Sequence, residues 1–330
     1  MQQRNFSALD TTVGAIGLGC MGMSWAYVDK DARDEAAGAE VIRGALDRGV
    51  NFLDTSDAYA AGHNEQLVGR AVAGRRDEAV VATKVGLIAE ETPAGPGLGR
   101  DGRPAHIRNA VDASLSHLGV DVIDLYYLHR VDTEVPLEDS WAAMADLVSD
   151  GKVRALGLSE VTVEEAARAH AIHPVAAVQS EFSLWTRDPQ GQGTTPDGAA
   201  TGDMISWTAD HNALFVPFSP LGRGFLTGAL DTASLGAGDF RNRLPRFASE
   251  AASANQAIVD IVRRVADRQG TTLAAVALAW VLAQGDHLVP IPGTTKVHNL
   301  VANIAATELA LTAEDLTELD GVPMAVGTRY

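Results

Sequence analysis

Short apolar runs alternate along this chain with longer stretches of helical periodicity. Within residues 34–48, for example, Ala37, Val41 and Ala45 recur every four residues, which places them on one face of a helix. Similar helical patterns are predicted at residues 108–118, 137–150 and 162–170. Candidate strands are predicted at residues 14–18, 50–54, 80–84, 123–129, 155–159, 176–180, 214–218 and 288–291.

This alternation is typical of βα units that build a parallel sheet. Eight such strands close into a (β/α)8 TIM barrel, whose active site lies at its C-terminal face. We therefore predict an α/β protein with a single barrel domain over residues 1–330.

Three segments interrupt the alternation and are rich in Gly, Pro and polar residues. They span residues 86–104, 187–203 and 235–249. Long loops inside a compact domain are commonly either functional or disordered. We expect all three at or near the active-site face, although residues 187–203 also fit a mobile linker.

Composition restricts the function further. The chain has 46% hydrophobic but only 5% aromatic residues, which favours a core of small aliphatic side chains on parallel strands. A net charge of −17 with scattered cations disfavours binding to nucleic acids and to anionic membranes. No apolar run approaches the roughly 20 residues of a membrane span, and the first ten residues lack a signal peptide's apolar core.

A single cysteine, Cys20, excludes an internal disulfide and fits a reducing compartment, so we predict a cytoplasmic protein. His170 and His173 are spaced for one helix face. Because no third ligand accompanies them, no metal site is predicted.

Four polar residues lie at or just past the ends of predicted strands: Asp54, Tyr59, Lys84 and His129. The ends of neighbouring parallel strands meet at one mouth of a barrel. Tyrosine is a poor acid, with a pKa of about 10, but a nearby ammonium group favours the phenolate. Asp54 would hold that ammonium group and His129 would orient a carbonyl oxygen, so the set predicts proton donation to a carbonyl.

The first predicted strand carries a glycine pattern with a second interpretation. Gly17, Gly19 and Gly22 match G-x-G-x-x-G, which in a Rossmann fold binds a dinucleotide. That mechanism needs a helix at the third glycine and an acid about 20 residues later, and neither is present. We interpret these glycines instead as residues that let the chain pass close beneath a ligand, with Cys20 and Met21 lining that passage.

The motifs of the chain are those of a known family. The stretches are GLGCMGMS, NFLDTSDAY, VATKVG, DLYYLHR, GKVRALGLSE, VQSEFSLWTRD, FVPFSPLGRGFLTG and VPIPGTTKVHNLVANI, in the family's order. The chain resembles the aldo-keto reductases, within them the bacterial and plant branch with a His-Arg pair at the fourth strand. The resemblance implies reduction of aldehydes or ketones with NADPH, with Tyr59 as general acid, Lys84 and Asp54 as its tuning pair, and His129 orienting the carbonyl.

The resemblance also implies cofactor and substrate contacts. Ser159 and Gln179 would hold the nicotinamide carboxamide, and Phe218 would stack on the ring. Glu160 stands where the family usually has Asn. The remaining implied contacts are Ser219, Leu221, Gly222 and Arg223 over the pyrophosphate, Thr294 and Lys296 at the 2′-phosphate, and Asn303 at the adenine. From their places in the chain we also predict Gly19 and Met21 beneath the cofactor, Arg241 as a lid residue over it, and Trp25, Tyr27 and Trp185 in the substrate pocket.

Two other functions remain open at this level. One is an NADPH-binding regulatory module that senses redox state and turns over slowly. The other is a Schiff-base aldolase with Lys84 as nucleophile. The leading hypothesis is an NADPH-dependent carbonyl reductase that acts on a small-molecule substrate with an apolar body.

Overall fold

The computed structural model describes residues 1–27, 34–92, 95–195, 197–236 and 238–330. Positions 93, 94, 196 and 237 of the three predicted loops therefore lie outside the described residues. Among the described residues, no helix combines the length and apolar character needed to cross a bilayer.

A parallel sheet of seven strands forms the centre of the molecule. In spatial order the strands are β11 (Leu214–Phe218), β10 (Ala177–Glu181), β9 (Val153–Ser159), β8 (Ile123–Leu128), β5 (Val80–Val85), β4 (Phe52–Asp54) and β3 (Leu18–Gly19). Six of them match predicted strands to within two or three residues, because each is an apolar run that ends at polar residues.

The barrel is closed by residues 287–293, which run between the two edge strands. Val289 N–H donates to Phe215 O at 2.9 Å, and Gly17 N–H donates to Pro290 O at 2.9 Å. Gly19 also forms a parallel bridge with Gly293. A side chain on Gly19 would meet Ile291 O at 2.8 Å, so this glycine is needed where the two backbones meet. The predicted (β/α)8 barrel is confirmed, although its eighth strand is held by single bridges.

The prediction of a first strand at residues 14–18 is wrong in its bounds. The chain forms an antiparallel hairpin, β1 (Gln3–Phe6) and β2 (Thr11–Gly14), before it enters the barrel at β3. Phe6, Leu9 and Val13 of this hairpin pack into the barrel interior. The predicted strand at residues 14–18 therefore contains the end of the hairpin, which fills the N-terminal end of the barrel, and the start of the first barrel strand.

Helices cover the outside of the sheet, and their apolar faces form the larger core with the strands. Helix α3 (Pro104–Leu118) ends where the helical pattern predicted at residues 108–118 ends, and Gly119 follows it with a left-handed φ of 64°. The helices are α1 (Glu35–Leu46), α2 (His63–Val72), α3 (Pro104–Leu118), α4 (Leu137–Ser149), α5 (Val163–His170), α6 (Met204–Asp210), α7 (Ser249–Gln269), α8 (Leu273–Leu282), α9 (Val297–Ala305) and α10 (Ala313–Asp320).

The three segments predicted as loops contain local structure. The first forms a second antiparallel hairpin, β6 (Leu87–Thr92) and β7 (Gly95–Arg100). Arg100 makes a two-pronged ion pair with Asp197 at 2.8 and 2.9 Å, which links this hairpin to the second segment. The third contains short 3-10 turns before α7 begins at Ser249.

Candidate active site

Asp54, Lys84 and His129 come together at the C-terminal mouth of the barrel, as their positions at strand ends predict. Asp54 ends β4, Lys84 lies in β5, and His129 follows β8. Lys84 Nζ donates to Asp54 Oδ1 at 2.6 Å and to Thr55 O at 2.8 Å. The Lys84 side chain is fully buried, so these contacts replace its hydration.

Tyr59 reaches the same point from the loop after β4. Its hydroxyl lies 3.2 Å from Lys84 Nζ, and its ring meets the His129 ring edge-on with centroids 5.9 Å apart. Two further hydrogen bonds hold this loop in place. The Thr55 hydroxyl donates to Asn64 Oδ1 at 2.6 Å, and Asn64 Nδ2 donates to Cys20 O at 2.9 Å. The four predicted catalytic residues are therefore in one cluster.

Burial dominates the electrostatics of this cluster. It raises the pKa of Tyr59, and the Lys84 ammonium group only partly opposes that rise. Burial also disfavours the charge on Lys84, but attraction to Asp54 and Tyr59 outweighs it and raises the pKa of Lys84. The free protein thus holds a protonated phenol beside a charged ammonium group, rather than the readily formed phenolate that the sequence suggested.

His129 is neutral in this environment. Burial, followed by the Lys84 and Arg130 cations, lowers the pKa of His129 well below its usual range. Its Nδ1 lies 3.1 Å from the Ser56 hydroxyl, which donates to Asp57 Oδ1 at 3.1 Å. A neutral imidazole carries its proton on one ring nitrogen, and a proton on Nε2 can be donated to a carbonyl oxygen.

Two residues predicted to hold the nicotinamide carboxamide lie beside this cluster: Ser159 ends β9, and Gln179 lies in the middle of β10. Gln179 Nε2 donates to Asp54 Oδ2 at 2.8 Å, which leaves the Gln179 amide oxygen available to another donor. The Ser159 hydroxyl accepts from Arg130 Nη1 at 3.1 Å. Both side chains are almost fully buried, so both have fixed positions before any ligand binds.

The loop after β11 has a strained backbone. Phe218 is partly exposed at the strand end, and Ser219, Gly222, Arg223 and Gly224 follow with positive φ angles between 50° and 97°. Backbone strain of this kind is concentrated at ligand sites, and turns with left-handed residues direct N–H groups into one concavity. This geometry fits the predicted loop over a pyrophosphate, in which Leu221 is also partly exposed.

The charge of Arg223 is already neutralised within the protein. Its Nη2 forms a buried ion pair with Glu181 Oε2 at 2.7 Å. Arg241, predicted as a lid residue, donates to Arg223 O at 2.9 Å and lies over the Tyr27 ring at 5.1 Å. Arg223 and Arg241 therefore fix the loop and have ion-pair partners of their own in Glu181 and Asp239.

The residues predicted for the phosphate lie at the start of α9, and the residue predicted for the adenine lies near the end of the same helix. Lys296 precedes the first residue of this helix and is exposed, and its N–H donates to Thr294 Oγ1 at 3.1 Å. Helix N-termini favour anions through their unpaired N–H groups. Asn303 lies two turns further along the same helix and is almost fully buried.

The predicted substrate-pocket residues have different environments. Trp25 stacks on Tyr59, with ring centroids 5.7 Å apart, and is partly exposed, as is Tyr27. Trp185 is only 4% exposed and packs against Phe225 and Phe247 beneath the loop after β11. Trp185 therefore supports that loop and offers almost no surface to a substrate.

Two charged groups at the mouth were missed by the sequence analysis. Glu181 lies two residues after Gln179 and is buried. Burial alone would raise the pKa of the Glu181 carboxyl, but the Arg223 and Arg329 cations outweigh that effect and hold this pKa below its usual value. The signal that could have identified Glu181 was a charged residue at the end of an apolar, strand-like run. Arg329, which contacts Glu160, had no such signal because it lies outside any periodic pattern.

The described residues contain no group of three or more His, Cys, Asp or Glu side chains able to hold a metal ion. His170 Nδ1 instead accepts from Val175 N–H at 3.2 Å, and its ring packs against Trp207 and His211.

Comparisons with known proteins show which family the chain belongs to. A family model described as the aldo/keto reductase family matches residues 15–323. The probable aldo-keto reductase 1 of Glycine max is 39% identical over 322 residues, which are 96% of this chain and 88% of that protein. The chain therefore belongs to the aldo/keto reductase family. Membership makes it an oxidoreductase that uses NADP(H), which confirms the predicted enzyme class and cofactor.

Solved structures have the same fold. A glycerol dehydrogenase from Gluconobacter oxydans is 30% identical with a TM-score of 0.83, covering 97% of this chain and 94% of that chain. An aldo-keto reductase from Bacillus halodurans in its holo form is 26% identical with a TM-score of 0.76, covering 100% and 98%. An aldo/keto reductase from Klebsiella pneumoniae, in complex with NADP and acetate, is 25% identical with a TM-score of 0.71, covering 100% and 99%.

Proposed function

We propose that the protein reduces an aldehyde or ketone to an alcohol with NADPH, and that Tyr59 is the general acid. The observation that carries this proposal is the short contact of the Lys84 ammonium group with both Asp54 and the Tyr59 hydroxyl, at 2.6 and 3.2 Å. A phenol beside a fixed cation is suited to give its proton to an oxygen that gains negative charge.

When bound, the nicotinamide supplies a hydride to the carbonyl carbon. The chain's own residues then handle the proton and the charge. Tyr59 gives its hydroxyl proton to the carbonyl oxygen, and Lys84 stabilises the phenolate that remains. Asp54 keeps Lys84 charged and in place. His129 donates from Nε2 to the carbonyl oxygen and so fixes its direction toward Tyr59.

The residues near this cluster are suited to hold the cofactor. Gln179 has a free amide oxygen and Ser159 a fixed hydroxyl for the carboxamide, while Phe218 presents a partly exposed ring. The backbone of the loop after β11 and the start of α9 both favour phosphate groups. The full set proposed to contact the cofactor is Gly19, Met21, Ser159, Gln179, Phe218, Ser219, Leu221, Gly222, Arg223, Thr294, Lys296 and Asn303.

The substrate is proposed to be a small aldehyde or ketone with an apolar body. Trp25 and Tyr27 present aromatic surface beside Tyr59 and favour such a body. A Schiff-base aldolase is disfavoured by the same contacts, because an amine must lose its proton to attack a carbonyl. Here burial opposes the charge on Lys84, but Asp54 and Tyr59 raise the pKa of Lys84 and keep it charged.

The test is NADPH oxidation measured across a panel of aldehydes and ketones with the wild type and Tyr59→Phe. We expect Tyr59→Phe to lower kcat/KM by at least about 100-fold and to leave the Kd for NADPH unchanged. Tyr126→Phe is the matched control, because Tyr126 is fully buried outside the cluster. Full activity of Tyr59→Phe would refute the assigned acid. Tight NADPH binding without turnover of any carbonyl would favour a regulatory module.

A further inference from the structure

Glu160 has an unusual backbone conformation at the cofactor side of the site. It directly follows Ser159 at the end of β9 and has a φ of 56°, in the left-handed region. Among residues other than glycine, asparagine and aspartate tolerate this region best, and glutamate has no comparable advantage. The surrounding contacts must therefore hold the turn at residues 159 and 160 in place.

Those contacts involve both the backbone and the carboxylate of Glu160. Its N–H donates to Gln179 O at 2.9 Å, and its Oε1 accepts from Glu181 N–H at 2.7 Å. Arg329 Nη1 donates to both carboxylate oxygens, at 3.0 and 3.2 Å. The Glu160 and Arg329 side chains are 2% and 8% exposed, so the Glu160 carboxylate depends on Arg329 as its counter-charge in a buried site.

Arg329 is itself anchored independently of Glu160. Its Nε lies 3.0 Å from Asp188 Oδ2, and its Nη2 donates to Thr194 O at 3.0 Å. Nearby, Asn255 exchanges two hydrogen bonds with the backbone of Val326, at 2.8 and 3.0 Å. The guanidinium group is thus presented to Glu160 from a fixed segment.

We propose that Arg329 is a positioning residue for the nicotinamide end of the cofactor, acting through Glu160. Without Arg329 the buried carboxylate has lost its counter-charge and is drawn toward water, and the left-handed turn opens with it. Ser159 is the preceding residue, so its hydroxyl moves out of line with Gln179. This inference rests on the proposed carboxamide contacts of Ser159 and Gln179.

The dependence on Arg329 comes from the charge and the backbone preference of Glu160. Asparagine at this position is uncharged and adopts the left-handed region readily. Glu160→Asn should therefore remove the need for Arg329, and the two substitutions should compensate each other. A role of Arg329 in holding only residues 187–203 would give no such compensation.

The experiment compares the wild type with Arg329→Met, Glu160→Asn and the double variant. The Kd for NADPH is measured by quenching of protein fluorescence without substrate, and the Tm of each protein is recorded. A second ligand, 2′-phosphoadenosine diphosphoribose, lacks the nicotinamide. We expect Arg329→Met to raise the Kd for NADPH about tenfold and to leave the Kd for the fragment unchanged. In the double variant with Glu160→Asn, the Kd for NADPH should return to within about threefold of the wild-type value.

An equal rise in the Kd for NADPH and in the Kd for the fragment would overturn the inference. So would a double variant that binds NADPH as weakly as Arg329→Met does. Arg329→Lys keeps a cation and should bind NADPH better than Arg329→Met, which gives a second comparison if the methionine variant does not fold. Arg168→Met is the control, because it loses an exposed ion pair with Glu138. A wild type that does not bind NADPH would refute the proposed function itself, before any variant is compared.

Discussion

The amide of Gln179 donates to Asp54 Oδ2 at 2.8 Å, and Lys84 Nζ donates to Oδ1 of the same carboxylate at 2.6 Å. One buried carboxylate therefore joins a residue proposed to hold the cofactor to the pair that tunes the proposed acid. Both partners of Asp54 are held in place before any ligand binds.

Gln179→Glu should disrupt this shared contact. The new carboxylate faces Asp54 in a buried site, and two such groups can be accommodated only when one of them is protonated. We expect kcat/KM to fall by at least about tenfold at pH 8 and the loss to shrink toward pH 5. Rates of NADPH oxidation at both pH values check this, with exposed Gln192→Glu as control. A loss independent of pH would contradict the repulsion.

Ser56→Ala should release the imidazole of His129. The Ser56 oxygen accepts from Ala58 N–H at 3.2 Å, its hydroxyl donates to Asp57 Oδ1 at 3.1 Å, and the same oxygen lies 3.1 Å from His129 Nδ1. Without the hydroxyl, His129 Nδ1 loses this contact, and the direction of the imidazole is no longer fixed by it. We expect kcat to fall by about tenfold with the Kd for NADPH unchanged.

Steady-state kinetics and a fluorescence titration would measure these two constants. Ser114→Ala is the control, because it removes a buried hydroxyl away from the cluster. If kcat of Ser56→Ala equals that of the wild type, the proposed orientation of His129 does not depend on Ser56.

Asp57→Asn should stabilise the fold above neutral pH. Burial, with repulsion from Glu65, raises the pKa of Asp57 to about 7. The unfolded carboxyl has a pKa of about 3.9, so the folded state binds this proton more tightly and loses stability as the pH rises between these values. We expect the variant to gain about 1–2 kcal/mol at pH 8 and nothing near pH 4.

Urea denaturation at pH 4.5 and 8 gives both free energies of unfolding. Asp210→Asn is the control, because Asp210 is exposed. The same gain at both pH values would show that the effect of Asp57→Asn is not due to the ionisation of its carboxyl.

The sequence predicted most of the barrel because its strands are short apolar runs with polar ends. The same rule found Asp54, Lys84 and His129, since the ends of parallel strands meet at one mouth. It failed at residues 14–18, where one apolar run serves both a hairpin and a strand.

Contacts between irregular segments could not be predicted in this way. Arg329 lies 169 residues from Glu160 and follows no periodic pattern, so only the folded chain brings the two together. The surroundings of Trp185 could not be predicted for a related reason. An aromatic residue after a strand can line a pocket or support its wall, and the packing of Phe225 and Phe247 decides which.

Lys296→Glu should change the choice between the two nicotinamide cofactors. Lys296 is exposed at the start of α9, where its ammonium group and the helix N–H groups would both attract the 2′-phosphate of NADPH. NADH lacks that phosphate. We expect the Kd for NADPH to rise by at least about tenfold and the Kd for NADH to change by less than about threefold. Fluorescence titrations measure both, with Arg108→Glu as a charge-matched control on α3. Equal effects of Lys296→Glu on the two cofactors would exclude the phosphate contact.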